Sequence, residues 1–195
     1  MYSVIKRGKL ITLREFDHND VDALMAIYGD EETTRHLSFE PRTREQVASI
    51  IERSITSATI EPRVEYALAA VENETGRLVG TWRLAYAPIS AAPPSMVGEL
   101  GDTAQFGCAI AARAWRKGYG AEGTSLLLSL AFDDLGIARV WGARGPENEA
   151  SAALMRRLGF VDVERFPDHI TKYGKPRDSI AAALDRDMWR PPAMH

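Results

Sequence analysis

The stretch of residues 105–160 limits most strongly how this chain can fold. Residues 106–110 form a short apolar run between turn-forming residues, which is typical of a buried strand. A basic loop with two glycines follows at residues 111–121. Residues 122–135 then place apolar side chains at helical spacing, and Gly136 stands where a helix cap is expected. The sequence therefore predicts a strand, a basic glycine-containing loop and a helix, in that order.

This order of elements favours binding of a phosphate group. The N-terminus of a helix leaves N–H groups without partners and carries a partial positive charge, so anions bind there. Gly118 and Gly120 have no side chain that would keep an anion from the backbone. Arg113, Arg116 and Lys117 add three positive charges, and no acidic residue lies among them.

Two common phosphate-binding motifs fit less well. A P-loop requires its lysine after the second glycine with a serine or threonine next to it, whereas Lys117 precedes both glycines. The glycines at positions 118, 120 and 123 do match the dinucleotide pattern G-x-G-x-x-G. However, seven residues separate Ile110 from Gly118, and the next predicted strand ends near Arg144 without the acid that would bind a ribose. Because an arginine suits a 2′-phosphate, an NADP-binding oxidoreductase stays open as an alternative.

A third motif matches the residues more fully. The segment Trp115-Arg116-Lys117-Gly118-Tyr119-Gly120 resembles motif A of the GCN5-related N-acetyltransferase (GNAT) superfamily, Gln/Arg-x-x-Gly-x-Gly/Ala. Asn148-Glu149-Ala150-Ser151, followed by Leu158-Gly159-Phe160, resembles the same family's Asn-x-x-Ser helix start and closing Gly-Phe. Together the two motifs at this separation form a specific signature.

Within the superfamily, the chain is most similar to the branch that acetylates ribosomal-protein N-termini (RimJ/RimL-like). That branch often has tryptophan at the start of motif A followed by glycine, and here Arg116 replaces that glycine. The similarity extends to Leu13-Arg14-Glu15-Phe16 near the start and to Asp187-Met188-Trp189 near the end. It therefore covers nearly the whole chain.

The resemblance implies an α/β fold with a mixed, mostly antiparallel sheet of about seven strands and about four helices. The fourth and fifth strands are expected to splay apart. Residues 1–195 are expected to form a single domain, with a cofactor core at 104–160. Residues 31–42 are polar and predict an irregular segment, and a turn is expected between Asp168 and Asp178. Residues 87–101 are rich in proline, glycine, alanine and serine and predict a long loop of open role.

The implied activity is transfer of the acetyl group of acetyl-CoA to a primary amine, by direct attack within a ternary complex. An amine must lose a proton before it attacks, so a general base is required. A main-chain N–H at Ala109 or Ile110 is expected to stabilise the oxyanion. The residues expected to bind acetyl-CoA are Cys108, Ala109, Ile110, Arg116, Lys117, Gly118, Tyr119, Gly120, Ala121, Asn148 and Ser151. Asn148 also fits a purely structural role as a helix cap.

The catalytic acid and base are less well determined by the sequence. The candidates for the acid that protonates the CoA thiolate are Ser151 and Tyr173. Many branch members carry glutamate where this chain has Gln105, which cannot accept a proton. The base is therefore expected to be Glu99, Asp168, His169 or a water molecule. Gln105 also motivates an alternative function, namely a catalytically inactive GNAT-like protein that binds acetyl-CoA.

Three segments supply candidate residues for the acceptor site. Phe39, Glu40 and Arg42 either contact the acceptor or lie in a solvated loop, Trp82 either belongs to the core or lines the cleft, and Gln105 is expected beside the reacting groups. The acceptor is expected to be a small-molecule amine or a protein N-terminus. Homodimers are common in the family, so a homodimer is a possible assembly.

The charge and the rare residue types narrow the function classes. A formal net charge of −3 gives no excess of basic residues for a nucleic-acid surface. The one cysteine, Cys108, cannot form an internal disulfide and is predicted in the buried strand, which fits a reducing cytoplasm. The four histidines show no metal-ligand spacing, and no apolar run has the length of a membrane span or a signal peptide. We therefore expect a cytoplasmic protein without a metal.

Overall fold

The computed structural model describes residues 3–86 and 102–191. In this part of the chain one sheet contains eight strands in the order β1-β2-β3-β4-β5-β6-β8-β7. Neighbouring strands are antiparallel except for the pair β5 and β6, which is parallel. The strands are β1 Ile5–Arg7, β2 Ile11–Glu15, β3 Glu65–Glu72, β4 Leu78–Ala85, β5 Thr103–Ile110, β6 Arg139–Arg144, β7 Val161–Lys172 and β8 Lys175–Asp185.

Five α-helices connect the strands of the described chain. They are α1 Val21–Tyr28, α2 Glu31–Thr34, α3 Arg44–Ser57, α4 Tyr119–Ser129 and α5 Glu149–Arg157. A π-helical turn, Leu130–Asp134, extends α4, and the N–H of Leu135 donates to the carbonyl of Leu130 at 3.0 Å. None of the helices in the described residues has the length and apolar character that crossing a lipid bilayer requires.

The helix ends follow the capping residues in the sequence. Thr43 and Gln46 form a capping box at the start of α3, in which each side chain bonds the backbone N–H of the other. The side chain of Asn148 caps α5 by accepting the N–H of Ser151 at 3.0 Å. Gly159, with φ +93°, ends that helix in the left-handed conformation.

Helices α1 and α4 lie on opposite faces of the sheet. The hydroxyl of Tyr28 in α1 is 3.0 Å from the hydroxyl of Thr81 in β4. The next residue, Trp82, donates from its indole Nε1 to Thr124 in α4 at 3.1 Å. Because successive side chains of a strand point to opposite faces, these two contacts place the helices on the two sides of β4. Most buried apolar side chains belong to one core cluster around these elements.

The splay predicted for the fourth and fifth strands is confirmed at β5 and β6. These strands pair only over Thr103–Arg139, Ala104–Val140 and Gln105–Trp141. Beyond that point β5 continues along β4 to Ile110, and β6 continues along β8 to Arg144. A wedge-shaped gap therefore opens between the C-terminal halves of the two strands.

The structure corrects four details of the sequence interpretation. Strand β1 is an eighth strand, held at the sheet edge by pairing with β2. Helix α2 lies in the segment expected to be irregular, because Asp30 caps the N–H of Thr33 at 2.7 Å. Helix α4 begins at Tyr119, three residues earlier than expected. The β7–β8 turn is at Tyr173 and Gly174, since both strands run on beyond Asp168 and Asp178.

Candidate functional site

A cavity of about 500 Å³ lies at the gap between β5 and β6. Both sheet faces and the β7–β8 hairpin contribute to its walls. It is lined by residues 36–39, 105–109, 143–145 and 169–170 and by Tyr28, Thr81, Arg83, Asn148, Ser151, Leu154, Met155 and Ser179. The cavity thus contacts the predicted cofactor strand up to Ala109, the start of α5 and the segment expected to meet the acceptor.

The alternation of hydrogen bonds along β5 shows which main-chain groups face the gap. The N–H of Ala111 donates to the carbonyl of Val79 in the line of β4 at 2.9 Å. In an antiparallel pair every second residue bonds the neighbouring strand, so Ala109 and Gly107 also bond β4. The main-chain groups of Cys108 and Ile110 therefore face the gap. Of the two N–H groups expected to stabilise an oxyanion, that of Ile110 has the suitable direction.

The loop before α4 has the backbone shape of an anion site. Gly118 has φ +86°, a left-handed conformation that favours glycine, and no side chain caps the helix there. The N–H groups of the first turn are thus left for a ligand, and Arg116 and Lys117 beside them are exposed. Gly120 serves packing, because a Cβ atom there would lie 3.3 Å from Cδ1 of Ile110.

The one acidic residue in the first turn of α4 is directed away from the anion site. The carboxylate of Glu122 accepts the backbone N–H groups of Lys9, Leu10 and Ile11, each at 2.8 Å. These three hydrogen bonds compensate the negative charge of Glu122 at the β1–β2 turn. The helix N-terminus consequently keeps its positive character.

The side chain of Tyr119 points into the protein. Its hydroxyl donates to the carboxylate of Glu72 in β3, and this bond, with burial and the negative charge, raises the pKa of Tyr119 to about 12. The residue is largely buried. Only its backbone N–H, at the first position of α4, is suited to the role in cofactor binding that the sequence suggested.

The candidate acids and bases lie in different surroundings. Ser151 and His169 line the cavity. Tyr173 is 56% exposed at the hairpin turn, and Asp168 is an exposed residue whose N–H donates to Asp178; neither contributes to the cavity wall. Glu99 lies outside the described residues.

Cys108 lines the cavity and is half-buried, a more open position than the core position expected for it. Burial raises the pKa of its thiol to about 11. The thiol is therefore protonated at neutral pH, which argues against a nucleophilic role.

The candidate acceptor residues also lie in different surroundings. Phe39 lines the cavity, packs edge-on against Tyr28 with ring centroids 5.0 Å apart, and lies under the guanidinium of Arg42. Glu40 is directed to the hairpin, where it accepts the N–H of Tyr173 at 2.7 Å. Trp82 is 1% exposed and belongs to the core, and it does not line the cavity.

Sequence reasoning missed a buried lysine that joins two walls of the cavity. Lys172 of β7 is 2% exposed, and its ammonium donates to the carbonyls of Thr34, Arg35 and Leu37. Burial first, and then the positive charge of Arg177, lower its pKa. These bonds fix the segment 36–39 against the hairpin. No sequence pattern signals them, because they join residues about 137 positions apart.

Sequence reasoning missed Arg83 and considered Arg144 only for the NADP alternative. Arg144 ends β6 and is buried; its Nη2 donates to Asp162 at 2.7 Å, while its Nε has no acceptor among the described residues. Arg83 lies on the face of the sheet opposite to that of Arg144 and donates from Nε to Glu65 at 2.6 Å. In the described chain, no cluster of three or more histidine, cysteine or acidic residues is arranged to hold a metal ion.

Comparisons with known proteins agree with this geometry. A family model described as an acetyltransferase (GNAT) domain matches residues 11–161. The FsC-acetyl coenzyme A-N(2)-transacetylase of Aspergillus fumigatus is 29% identical over 178 residues, which cover 88% of this chain and 72% of that protein.

Solved structures share the fold over nearly the whole chain. The spermidine N-acetyltransferase of Vibrio cholerae, in complex with CoA and spermine, has a TM-score of 0.75 at 15% identity and covers 93% of this chain and 98% of its own. The ribosomal-protein-S5-alanine acetyltransferase of Vibrio fischeri has a TM-score of 0.73 at 18% identity, and the match covers 96% of this chain and 100% of that chain. The matched family domain spans most of the chain and includes both motifs and the splayed strands, and the protein therefore belongs to the GNAT acetyltransferase family.

Proposed function

We propose that the protein transfers the acetyl group of acetyl-CoA to a primary amine by direct attack within a ternary complex. The observation that supports this most strongly is the divergence of β5 and β6 after Gln105. It leaves main-chain groups of Cys108 and Ile110 facing the gap, and Cys108 also lines the cavity. After Ile110 the chain leads through the basic loop to an uncapped helix N-terminus with two exposed cations. A ligand that combines an amide-bearing arm with a diphosphate matches both features.

The binding residues divide between the arm and the diphosphate. The main chain of Cys108 pairs with the amides of the pantetheine arm in the manner of an added strand. The N–H groups at residues 119–121 bind the diphosphate, and Arg116 and Lys117 supply positive charge. Asn148 is occupied as the cap of α5 through its Oδ1, so only its amide NH2 remains as a donor to the arm.

The chemical step needs three groups from the chain. His169 accepts the proton of the acceptor ammonium, directly or through water, since it is the candidate base that lines the cavity. The N–H of Ile110 donates to the oxyanion as the amine nitrogen bonds to the thioester carbon. The C–S bond then breaks, and the hydroxyl of Ser151 protonates the leaving thiolate.

One contact limits the oxyanion site. The carbonyl of Ile110 already accepts the indole Nε1 of Trp115 at 2.8 Å. That carbonyl is therefore not left for the pantetheine arm, whereas the N–H of the same residue is. The bond holds the end of β5 against the anion-binding loop.

The experiment has a binding arm and a turnover arm. Calorimetry with CoA and acetyl-CoA measures binding, and thiol release from acetyl-CoA in the presence of a panel of amines measures transfer. We expect binding and amine-dependent thiol release, and His169→Gln is expected to abolish the acidic limb of the pH profile of kcat/KM. No binding of either ligand at millimolar concentration would refute the proposal.

The second candidate is a protein that binds acetyl-CoA without transferring the acetyl group. Gln105 favours it, because this cavity residue cannot act as a base. Binding without thiol release for every amine in the panel would support it. Transfer that persists in His169→Gln with an unchanged pH profile would instead assign proton removal to water.

A further inference from the structure

The charges around the acceptor half of the cavity point to the chemistry of the acceptor. This half comprises the surface of the sheet that faces α1, with Thr81, Arg83, Gln105 and Gly107, and the segment of residues 36–39. No aspartate or glutamate lines the cavity among the described residues, whereas Arg83 lines this half and pairs with Glu65, which lies outside the lining. An acceptor that carries further ammonium groups would find no carboxylate in this wall to pair with them.

Arg83 is the arginine on the acceptor face. It is the cross-strand partner of Gly107, so its side chain and the Cα–H of Gly107 point to the same face of the sheet. Gly107 is the second residue of β5 after the strands diverge. The Arg83 side chain thus begins opposite Gly107, three positions along β5 from Ile110, whose N–H is proposed to bind the oxyanion.

Gly107 leaves open space at this position. A Cβ atom built on it would meet nothing within 4 Å among its neighbours, and the residue is exposed. Glycine inside a strand is unfavourable and often marks a place where a ligand approaches the backbone closely. The space is bordered by Arg83, which lies across from Gly107, and by Gln105 two residues before it on the same face.

Both bordering side chains are hydrogen-bond donors. The hydrogen bond of Arg83 to Glu65 uses Nε, and the guanidinium carries four further N–H donors in its planar fork. The amide of Gln105 supplies a neutral NH2 group. This pair suits a carboxylate, because a guanidinium and an amide can each donate to one of its oxygens.

We propose, on the basis of the acetyl-transfer function proposed above, that the acceptor is an amine with a neighbouring carboxylate, as in an amino acid. Arg83 binds the carboxylate over Gly107, and Gln105 donates a second hydrogen bond to it. The amine is thereby directed toward the gap, where its nitrogen forms the bond to the acetyl carbon. Polyamines are poor acceptors, because they have no carboxylate that Arg83 and Gln105 could bind.

The test compares acceptors that differ only in this group. Amino acids, the corresponding amino-acid amides and spermidine are compared by kcat/KM with acetyl-CoA. We expect the preferred amino acid to exceed its amide by at least about tenfold, the range typical of one charge-assisted contact, and to exceed spermidine by more. Arg83→Gln is expected to reduce the acid-to-amide ratio to near one, and Arg83→Lys to leave an intermediate ratio.

The control is Arg186→Gln, which removes an exposed guanidinium that does not line the cavity. The acid-to-amide ratio of this variant should equal that of the unmodified protein. The affinity for CoA, measured by calorimetry on each variant, shows whether the Arg83 variants are folded. Because the acid-to-amide ratio compares two acceptors on the same variant, it does not depend on how much of that variant is active.

Two outcomes would overturn the inference and leave the proposed function intact. One is transfer to spermidine or to amides that equals or exceeds transfer to amino acids. The other is an acid-to-amide ratio that Arg83→Gln does not change. A further outcome, binding of acetyl-CoA without transfer to any amino acid, also overturns the inference. Failure to bind acetyl-CoA refutes the proposed function itself.

Discussion

The indole Nε1 of Trp115 donates a hydrogen bond of 2.8 Å to the main-chain carbonyl of Ile110. Ile110 is the last residue of β5, and Trp115 lies in the loop that leads to α4. The bond fixes the distance between the gap and the helix N-terminus. The two halves of the proposed CoA site are therefore held in one geometry.

Replacing Trp115 with phenylalanine should weaken CoA binding. The variant keeps an aromatic ring but loses the bond, which is worth about 0.5–1.5 kcal/mol and corresponds to about a two- to twelvefold rise in Kd by calorimetry. Trp189→Phe is the matched control, because the buried indole N–H of Trp189 has no acceptor among the described residues. An equal change in both variants would contradict the assigned role.

Gly118→Ala should reduce both stability and CoA affinity. Alanine at φ +86° costs about 1–2 kcal/mol, and its Cβ atom would lie 3.2 Å from Cδ1 of Leu10, so the anion-binding loop must shift. Gly136→Ala is the control, because Gly136 has φ +70° at the far end of the helix with open space around it. Urea denaturation should show similar losses in both, and calorimetry should show weaker CoA binding only in Gly118→Ala.

Gly123→Ala should destabilise the core. A Cβ atom there would lie 2.5 Å from Cζ2 of Trp82, so the indole or the helix must shift, at a cost of about 1–3 kcal/mol. In a Trp82→Phe background the smaller ring should remove most of this penalty. A double-mutant cycle by urea denaturation measures the coupling, and additive effects would exclude the contact as the cause.

Lys172→Met should destabilise the protein by about 1–3 kcal/mol at neutral pH, because three carbonyls lose their donor. The lowered pKa of Lys172 also predicts a pH dependence. Between that pKa and the usual 10.5, the unfolded chain binds more protons than the folded chain, so stability rises with pH. The difference in the free energy of unfolding between the unmodified protein and Lys172→Met should therefore increase with pH between these two pKa values. A difference in urea denaturation that stays constant with pH would contradict this prediction.

Alkylation of Cys108 by iodoacetamide should be slow at pH 8. A pKa of about 11 in place of 9.0 lowers the thiolate fraction on the order of 100-fold relative to a model thiol. The rate should increase up to about pH 11, and bound CoA should slow it. An acetylated Cys108, found by mass spectrometry after incubation with acetyl-CoA alone, would contradict direct attack.

The parts of the fold that local sequence determines were predicted well. The cap at Asn148 and the end of the same helix at the Leu158-Gly159-Phe160 motif depend on residues within a few positions of one another. The splay of the strands followed from a family resemblance carried by two short motifs. Its position was confirmed by the pairing that stops at Gln105.

The features that sequence reasoning missed depend on distant contacts. The roles of Gly120 and Gly123 are set by Ile110 and Trp82, which lie on other elements. The pairing of Arg83 with Gly107 is fixed by the register between two strands that are separated by residues 86–102 of the sequence. A single sequence gives no measure of such a register, so the charge of the acceptor wall became visible only in the fold.

The three N–H groups that hold Glu122 have a consequence for the start of the chain. Without the turn at residues 8–11, this carboxylate would be an uncompensated negative charge in the first turn of α4, close to the proposed diphosphate site. It would then repel the anion that the loop is proposed to bind. The short first hairpin thus preserves the positive potential of the helix N-terminus by holding a side chain of another element.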